Sequence, residues 1–567
     1  MKRLNSSTLL IATLLMLTGC AEEAATPSNG KSNQQESDTK GLTAFVEDVE
    51  IKEGVAPTRT TAEYFYKSET NRGLHYYWTA GDRLWVNNGG TLIQDVSNNI
   101  NSKLENNPAI PSAVKRAATA KFYFNGTFTA PSYPVRYTGK GTTTGDKVTI
   151  KAQQTQTIPN DASHIGEDGD CGTAVATKPA GGGKYNFTLS HEASYITFLP
   201  YTSQGVISGA KLQKIKVSAD QAICGTFDFN DNGIDIGSRP TAAPANQSIE
   251  LSLNSFSIPN TATIATNAAA MVIAPGSYTH FTVEYTLHDP ITNATGVITK
   301  QYPGTVTFTK GKNKRVSQDL QVTVYGDDYY MWDAEYEYWA DLSGIGGTNY
   351  KQYQPKPGVP GDYNKRPKSK AADPKRWYNE VDGPAAASHS AKNCPNANEA
   401  WWYVQYGDAR WENRLWATMG HLFTGGIWLK KQSTIVADNP LLVSSIQDLK
   451  DKAPNGTDYT TSSSRAEVFG SLSLIPPSPS DYSKYFFLPA LGDYSIGGLW
   501  EGTHAGEYGF YWVSTAMPND VYEGYRFYFR HATYGDQINM YHPSERNRGF
   551  RIWKADDSDN QYRPLGM

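Results

Sequence analysis

The chain has 567 residues, 19% of them charged, and a formal net charge of -4. That length exceeds what one ordinary core organises, so about three domains are expected, and the lack of a cationic surplus excludes a protein that tracks a nucleic-acid backbone. Aromatic residues at 12%, with 50 Gly and 31 Pro, favour turn-rich β structure over long helices.

In chain order, the first element is Met1 to Cys20, with Lys2 and Arg3, an apolar run from Leu9 to Leu17, and Leu17-Thr18-Gly19-Cys20. The run is too short to cross a bilayer, and the small Gly19 before Cys20 completes a lipobox, so residues 1–20 read as a lipoprotein signal peptide and Cys20 as the lipidated residue. Residues 21–44 are dominated by Ser, Gln, Asn, Glu and Lys and are expected to be a flexible tether. Cys171 and Cys224 either pair in an oxidising envelope or remain isolated thiols, and Cys394 is left over.

From Gly41 to about Tyr325 the text is short alternating strands broken by turns, as in Lys184 to Leu189, Ser248 to Leu253, His280 to Leu287 and Asp319 to Tyr325. Period-2 patterning at this spacing predicts antiparallel sandwiches, divided at Ala180-Gly181-Gly182-Gly183 into residues 45–180 and 181–326. Two metal-like strings fail on their own spacing. His191-Glu192-Ala193-Ser194-Tyr195 puts Tyr195 where a zinc-binding helix needs its second His, and Asp228 to Asp235 opens like a calcium loop but meets Arg239 at the position of the bidentate Glu. The first reads as strand and the second as an Asx-rich turn.

Several of these segments, taken in order, resemble the fimbrillin-like (Mfa-like) pilins, the lipoprotein-derived subunits of type V pili. They are Tyr77 to Val86, Ala120 to Gly126, Gln153 to Gln156, Phe187 to His191 with Tyr195 to Phe198, and Ala274 to Ser277. The resemblance implies two transthyretin-like antiparallel β-sandwiches, removal of an N-terminal strand by an arginine-specific protease, and filling of the vacated groove by a strand from the next subunit. The residue placed for such a cut is Arg59 in Thr58-Arg59-Thr60-Thr61, after the alternating Phe45 to Ile51. The alternative makes Arg59 an ordinary loop residue.

Residues 329–567 carry eleven of thirteen Trp and 22 of 36 Tyr, a composition change that marks another domain. Residues 327–392 read as linker or extended loop, 393–557 as the module itself and 558–567 as a tail. The order Phe487-Leu488-Pro489-Ala490, Gly509-Phe510-Tyr511-Trp512-Val513-Ser514-Thr515 and Arg548-Gly549-Phe550-Arg551-Ile552-Trp553 resembles C-type-lectin-like modules. That resemblance implies a small mixed α+β scaffold presenting variable loops; the calcium-binding triplets of sugar-binding lectins are absent, so no metal or other cofactor is expected.

Trp512, Phe527, Phe529 and Trp553 alternate along strands and are assigned to the core. The candidate ligand residues are Trp500, Glu501, His504, Tyr508, Tyr522, Tyr534, Asn539, Tyr541, His542 and Asn547, because Tyr, Trp and Asn among Gly and Asp combine rigid contact area with adaptable hydrogen bonding. A hydrolase would have to be built from His421, Glu399 and Asp408. The reading as a whole is a mainly β, non-enzymatic pilus subunit at the outer membrane and cell surface. Its precursor is held to the membrane by a lipid anchor, its partners are other pilus subunits, and its C-terminal module, suited to the tip, meets a host or bacterial glycan or protein. The alternative is an outer-membrane lipoprotein that binds glycan or protein ligands without polymerising.

Overall fold

The computed structural model describes residues 39–47, 61–68, 71–207, 209–494, 504–533 and 535–554. Mainly β, it buries its apolar side chains in three clusters. Cys20 and Arg59 lie outside the described residues.

The first cluster is filled by a mixed sheet. Its inner strands are β1 (Thr43–Glu47), β2 (Ala120–Phe124) and β3 (Lys184–Asn186), with β1 hydrogen-bonded on both sides. In β2 the alternation of Ala120, Phe122 and Phe124 with Lys121 and Tyr123 puts the first three residues wholly inside. The β1–β2 ladder is antiparallel, with Phe45 opposite Phe122, while β1 and β3 run parallel, with Phe45 opposite Tyr185.

The second cluster lies between the buried Ser194–Tyr201 and Ala269–Ile273 strands and the sheet of Lys211–Ser218, Ser248–Ser257 and Phe281–His288. The Phe281–His288 strand alternates buried and half-buried without a break, as its sequence predicts. The Asp319 to Tyr325 stretch instead divides: one strand ends at Asp319, and β4 (Thr323–Val324) pairs with the C-terminal region. Pairings are mostly antiparallel, but four among the described strands are parallel.

Three segments sit with a cluster that their position in the chain does not announce. The hairpin of Thr61–Ser68 and Asn71–Tyr77 contributes Ala62, Tyr64, Leu74 and Tyr76 to the second cluster, as Lys147–Ile150 contributes Val148 and Ile150. The hairpin of β5 (Leu415–Thr418) and β6 (His421–Thr424), inside the C-terminal region by sequence, buries Ala417 and Leu422 there too.

Residues 327–392, read as linker or extended loop, have little regular structure and form a packed strap. Tyr329, Trp332, Trp339 and Tyr378 belong to the third cluster, and the Trp332 indole donates to the Val513 carbonyl at 2.9 Å. The buried Asp333 carboxylate accepts from the Ser388 and His389 amides, both at 2.7 Å. The Pro, Lys and Gly content hid this because a few well-spaced aromatics are enough to dock a strap that has no period.

The three described cysteines are free and buried, so Cys171 and Cys224 are isolated thiols. Burial raises both thiols above the ordinary value, Cys224 to about 11. His191 lies on a short strand, bonded to Asp170 at 2.7 Å, and the carboxylates of the calcium-like string are used by Lys147 on Asp228 and Arg136 on Asp231.

Around the third cluster, α1 (Ala397–Tyr406) is opened by a capping box between Asn396 and Glu399. A four-stranded sheet follows, in the order β7 (Val468–Gly470), β10 (Gly535–Glu545), β9 (Glu523–Ala532) and β8 (Tyr508–Ala516), all antiparallel.

Candidate functional site

Two places combine chemistry with access. The first is the seat of β1. Phe45 is completely buried, its ring stacked on Tyr185 at 4.7 Å and set edge-on to Phe124 at 5.0 Å and Phe128 at 5.3 Å. Glu47, buried as well, accepts from the Trp78 indole at 2.8 Å and from the Leu189 amide at 3.3 Å. A strand near the start of the chain therefore fills an interior position in a sheet, which an edge strand does not do. The described chain resumes at Thr61 in a strand of the second cluster, so β1 and the residues after the gap belong to different cores.

The second place is the outer face of the four-stranded sheet. Tyr525, Phe527 and Phe529 of β9 point inward and are fully buried, so Arg526, Tyr528 and Arg530 stand on the other face. Cross-strand register aligns three rows there: Arg526 between Tyr541 and Trp512, Tyr528 between Asn539 and Phe510, and Arg530 between Gln537 and Tyr508. Phe469 of β7, 62% exposed, lies opposite Asn539, and its ring meets that of Tyr541 at 5.5 Å. On β8 the face is covered, because Phe550 packs on Trp512 at 4.4 Å and on Phe510 at 5.1 Å.

Of the sequence candidates, Tyr508, Asn539 and Tyr541 share this face and His504 borders it, its ring 4.9 Å from Tyr508. Tyr522, 70% exposed, and Asn547 lie at the opposite end of β9, beyond the Glu523–Glu545 pair. Trp500, Glu501 and Tyr534 lie outside the described residues, as does the side chain of His542. Trp512, Phe527, Phe529 and Trp553 are core residues. Sequence reasoning missed Phe469, Arg526 and Arg530; the available signal was Arg526-Phe527-Tyr528-Phe529-Arg530, in which strand alternation places both cations on one face.

His504 is held by the buried Asp493, Nδ1 to Oδ1 at 2.8 Å, and this hydrogen bond raises the imidazole above its ordinary 6.5 despite partial burial. A raised folded-state value means that the contact contributes fully below about pH 6.5 and fades as pH climbs through the folded value. Amides of residues 504–508 should accordingly exchange faster at pH 9 than at pH 6 after correction for intrinsic rates, and Asp493→Asn should remove the difference.

The residues of the possible hydrolase do not meet. His421 faces Asp289 at 3.1 Å, Glu399 accepts from Asn396 and Gln432, and Asp408 bonds Arg410 and Tyr485.

No family model matches the chain, and no curated protein sequence matches it. Among solved structures it is similar to a protein described as a cell adhesion protein from Bacteroides uniformis, at 14% identity over 50% of this chain and 95% of that one, with a TM-score of 0.28. A second, of the same description from Bacteroides ovatus, is 14% identical over 43% and 86%, with a TM-score of 0.25. A fimbrial assembly protein from Parabacteroides distasonis is 13% identical over 49% and 91%, with a TM-score of 0.22. Scores this low carry no inference about function.

Proposed function

We propose that the protein is a cell-surface pilus subunit, made as an outer-membrane lipoprotein anchored through Cys20, that polymerises by strand exchange and binds a surface glycan or protein through its C-terminal module. The observation that carries the reading is β1, an N-terminal strand ahead of Arg59 that occupies an interior slot between β2 and β3. A cut after Arg59 leaves β1 held without a covalent tie to the second core, by its ladders, by Phe45 and by the bonds of Glu47 to Trp78 and Leu189, so a strand from another subunit carrying comparable groups can replace it. The aromatic outer face of the C-terminal sheet supplies the recognition surface, and a C-terminal module of this bulk suits the tip. The scattered engagements of His421, Glu399 and Asp408 favour binding over catalysis.

The test is N-terminal sequencing and denaturing electrophoresis of protein taken from whole cells. A chain starting at Thr60 and running as a high-mass ladder, with the ladder lost in Arg59→Ala, is the expected result. A monomer starting at lipidated Cys20 overturns polymerisation and leaves a tethered surface receptor.

A further inference from the structure

We propose that Arg526 anchors a carboxylate-bearing sugar, a uronic or sialic acid, on the outer face of the β7–β10–β9–β8 sheet. The proposal rests on the reading of the C-terminal module as a ligand binder and names the chemistry of the ligand.

The first observation is an arginine that no carboxylate touches: Asp493 acts on it only through space, and Arg548 opposes that attraction. Among the described residues Arg526 makes no hydrogen bond and no ion pair, and its Nε is buried with no partner. Its other contacts are ring faces, with the guanidinium carbon 4.9 Å from the Tyr528 centroid and 5.5 Å from that of Phe510. Burial lowers its proton affinity below the ordinary arginine value, a desolvation that nearby Tyr528 and Asp493 offset only in part. The buried arginines of the module each reach at least one carbonyl, Arg546 those of Asn379 and Val381 and Arg551 that of Asp328, although Nε and Nη2 of Arg551 are also unpartnered. The two terminal nitrogens of Arg526, unbonded beside aromatic rings, match the two oxygens of a carboxylate, which they can grip through parallel bonds.

The second observation is what surrounds it. Tyr541 is the direct cross-strand neighbour of Arg526, and Phe469 extends the aromatic surface from there toward solvent. In the next row the buried Asn539 side chain, its Oδ1 unpartnered, lies beneath the exposed Phe469 ring. The sheet ladders use the backbone groups of the inner strands, so the face offers side chains alone. An acidic peptide recognised through its main chain needs an open edge, whereas a pyranose needs an aromatic plane and a few convergent polar groups, which is what the face provides.

The full-length protein is titrated calorimetrically with 3′-sialyllactose, a galacturonate trisaccharide, lactose and a Glu-rich peptide. At least one acidic sugar should bind about tenfold or more tightly than lactose. Arg526→Met should erase that preference, Arg526→Lys should keep part of it, and the melting temperature of Arg526→Met should equal or exceed that of the parent, because the variant removes a half-buried cation that no hydrogen bond meets. Equal affinity for lactose and both acidic sugars overturns the proposal, as does binding of the peptide alone. A melting temperature lowered by more than about 3 °C in Arg526→Met overturns it too, by marking Arg526 as a structural residue. The cell-surface ladder, run on the same variant, separates this outcome from the wider reading. A ladder without acidic-sugar binding removes the anchor and leaves the pilus subunit, and loss of the ladder from the parent protein removes polymerisation whatever the sugars do.

Discussion

Replacing Phe45 with alanine is expected to destabilise the first sheet and its core by about 3–5 kcal/mol, the range for removing a fully buried phenylalanine ring. The cost falls at the high end because the ring is stacked on Tyr185 and edge-on to Phe124 and Phe128, so its loss opens a cavity walled by large side chains with limited room to collapse. Amide exchange in Ala120–Phe124 and Lys184–Asn186 should accelerate by two orders of magnitude or more, by the conversion of about 1.4 kcal/mol per factor of ten. The strands around the third cluster should be unaffected. If β2 and β3 kept their protection, β1 would be a dispensable passenger, and the case for a strand-accepting groove would fall with it.

Asp289→Ala is the second large effect. This carboxylate is 2% exposed and sits in the turn between two strands of the second cluster, where it accepts from the Ile291 amide at 2.9 Å. It also reaches the C-terminal region, accepting from the Leu422 amide at 2.9 Å and facing His421 Nδ1 at 3.1 Å. Close by, the Thr292 hydroxyl donates to the Leu422 carbonyl at 2.6 Å, and Gly296 packs so tightly on Leu415 that a Cβ would stand 2.7 Å from its methyl carbon. Alanine leaves buried donors unpaired at about 1–3 kcal/mol each, so a loss of about 3–5 kcal/mol is expected at this junction. Calorimetry should show one transition for the second and third clusters in the parent and two in the variant. Asp289→Asn, which keeps an oxygen acceptor, should fall between them.

The strand content was legible because period-2 alternation reports which face of a strand is buried, and Phe281–His288 behaves as its pattern demands. What alternation cannot report is the partner against which that face is buried. Ala62, Tyr64, Leu74 and Tyr76 alternate well, yet nothing local distinguishes packing on the first core from packing on the second. The β5–β6 hairpin hid its allegiance for the same reason: Ala417 and Leu422 are ordinary core residues, and only tertiary pairing decides which core they enter. The strap of residues 327–392 was lost for a different cause, since its docking rests on isolated contacts such as Trp332 and Asp333 rather than on a repeat.

On the outer face of the C-terminal sheet, residue chemistry pointed to Tyr508, Asn539 and Tyr541, which the sheet brings together. It missed Arg526, because an arginine in a strand reads as solvent-facing until the register shows that no carboxylate stands opposite. It also grouped Tyr522 with residues at the other end of β9, since closeness in sequence along a hairpin is not closeness on a face.

The junction at Asp289 also bears on multivalent attachment. When a recognition domain hangs on a flexible linker, its effective concentration at a second binding point follows the length of that linker. Here β4 is hydrogen-bonded alongside β5 in parallel, and Leu422 is embedded in the neighbouring core, so no linker length enters. Copies fixed on one surface would engage a repetitive target only where the spacing of its epitopes matches the spacing of the copies, and avidity would rise steeply at that match and vanish away from it.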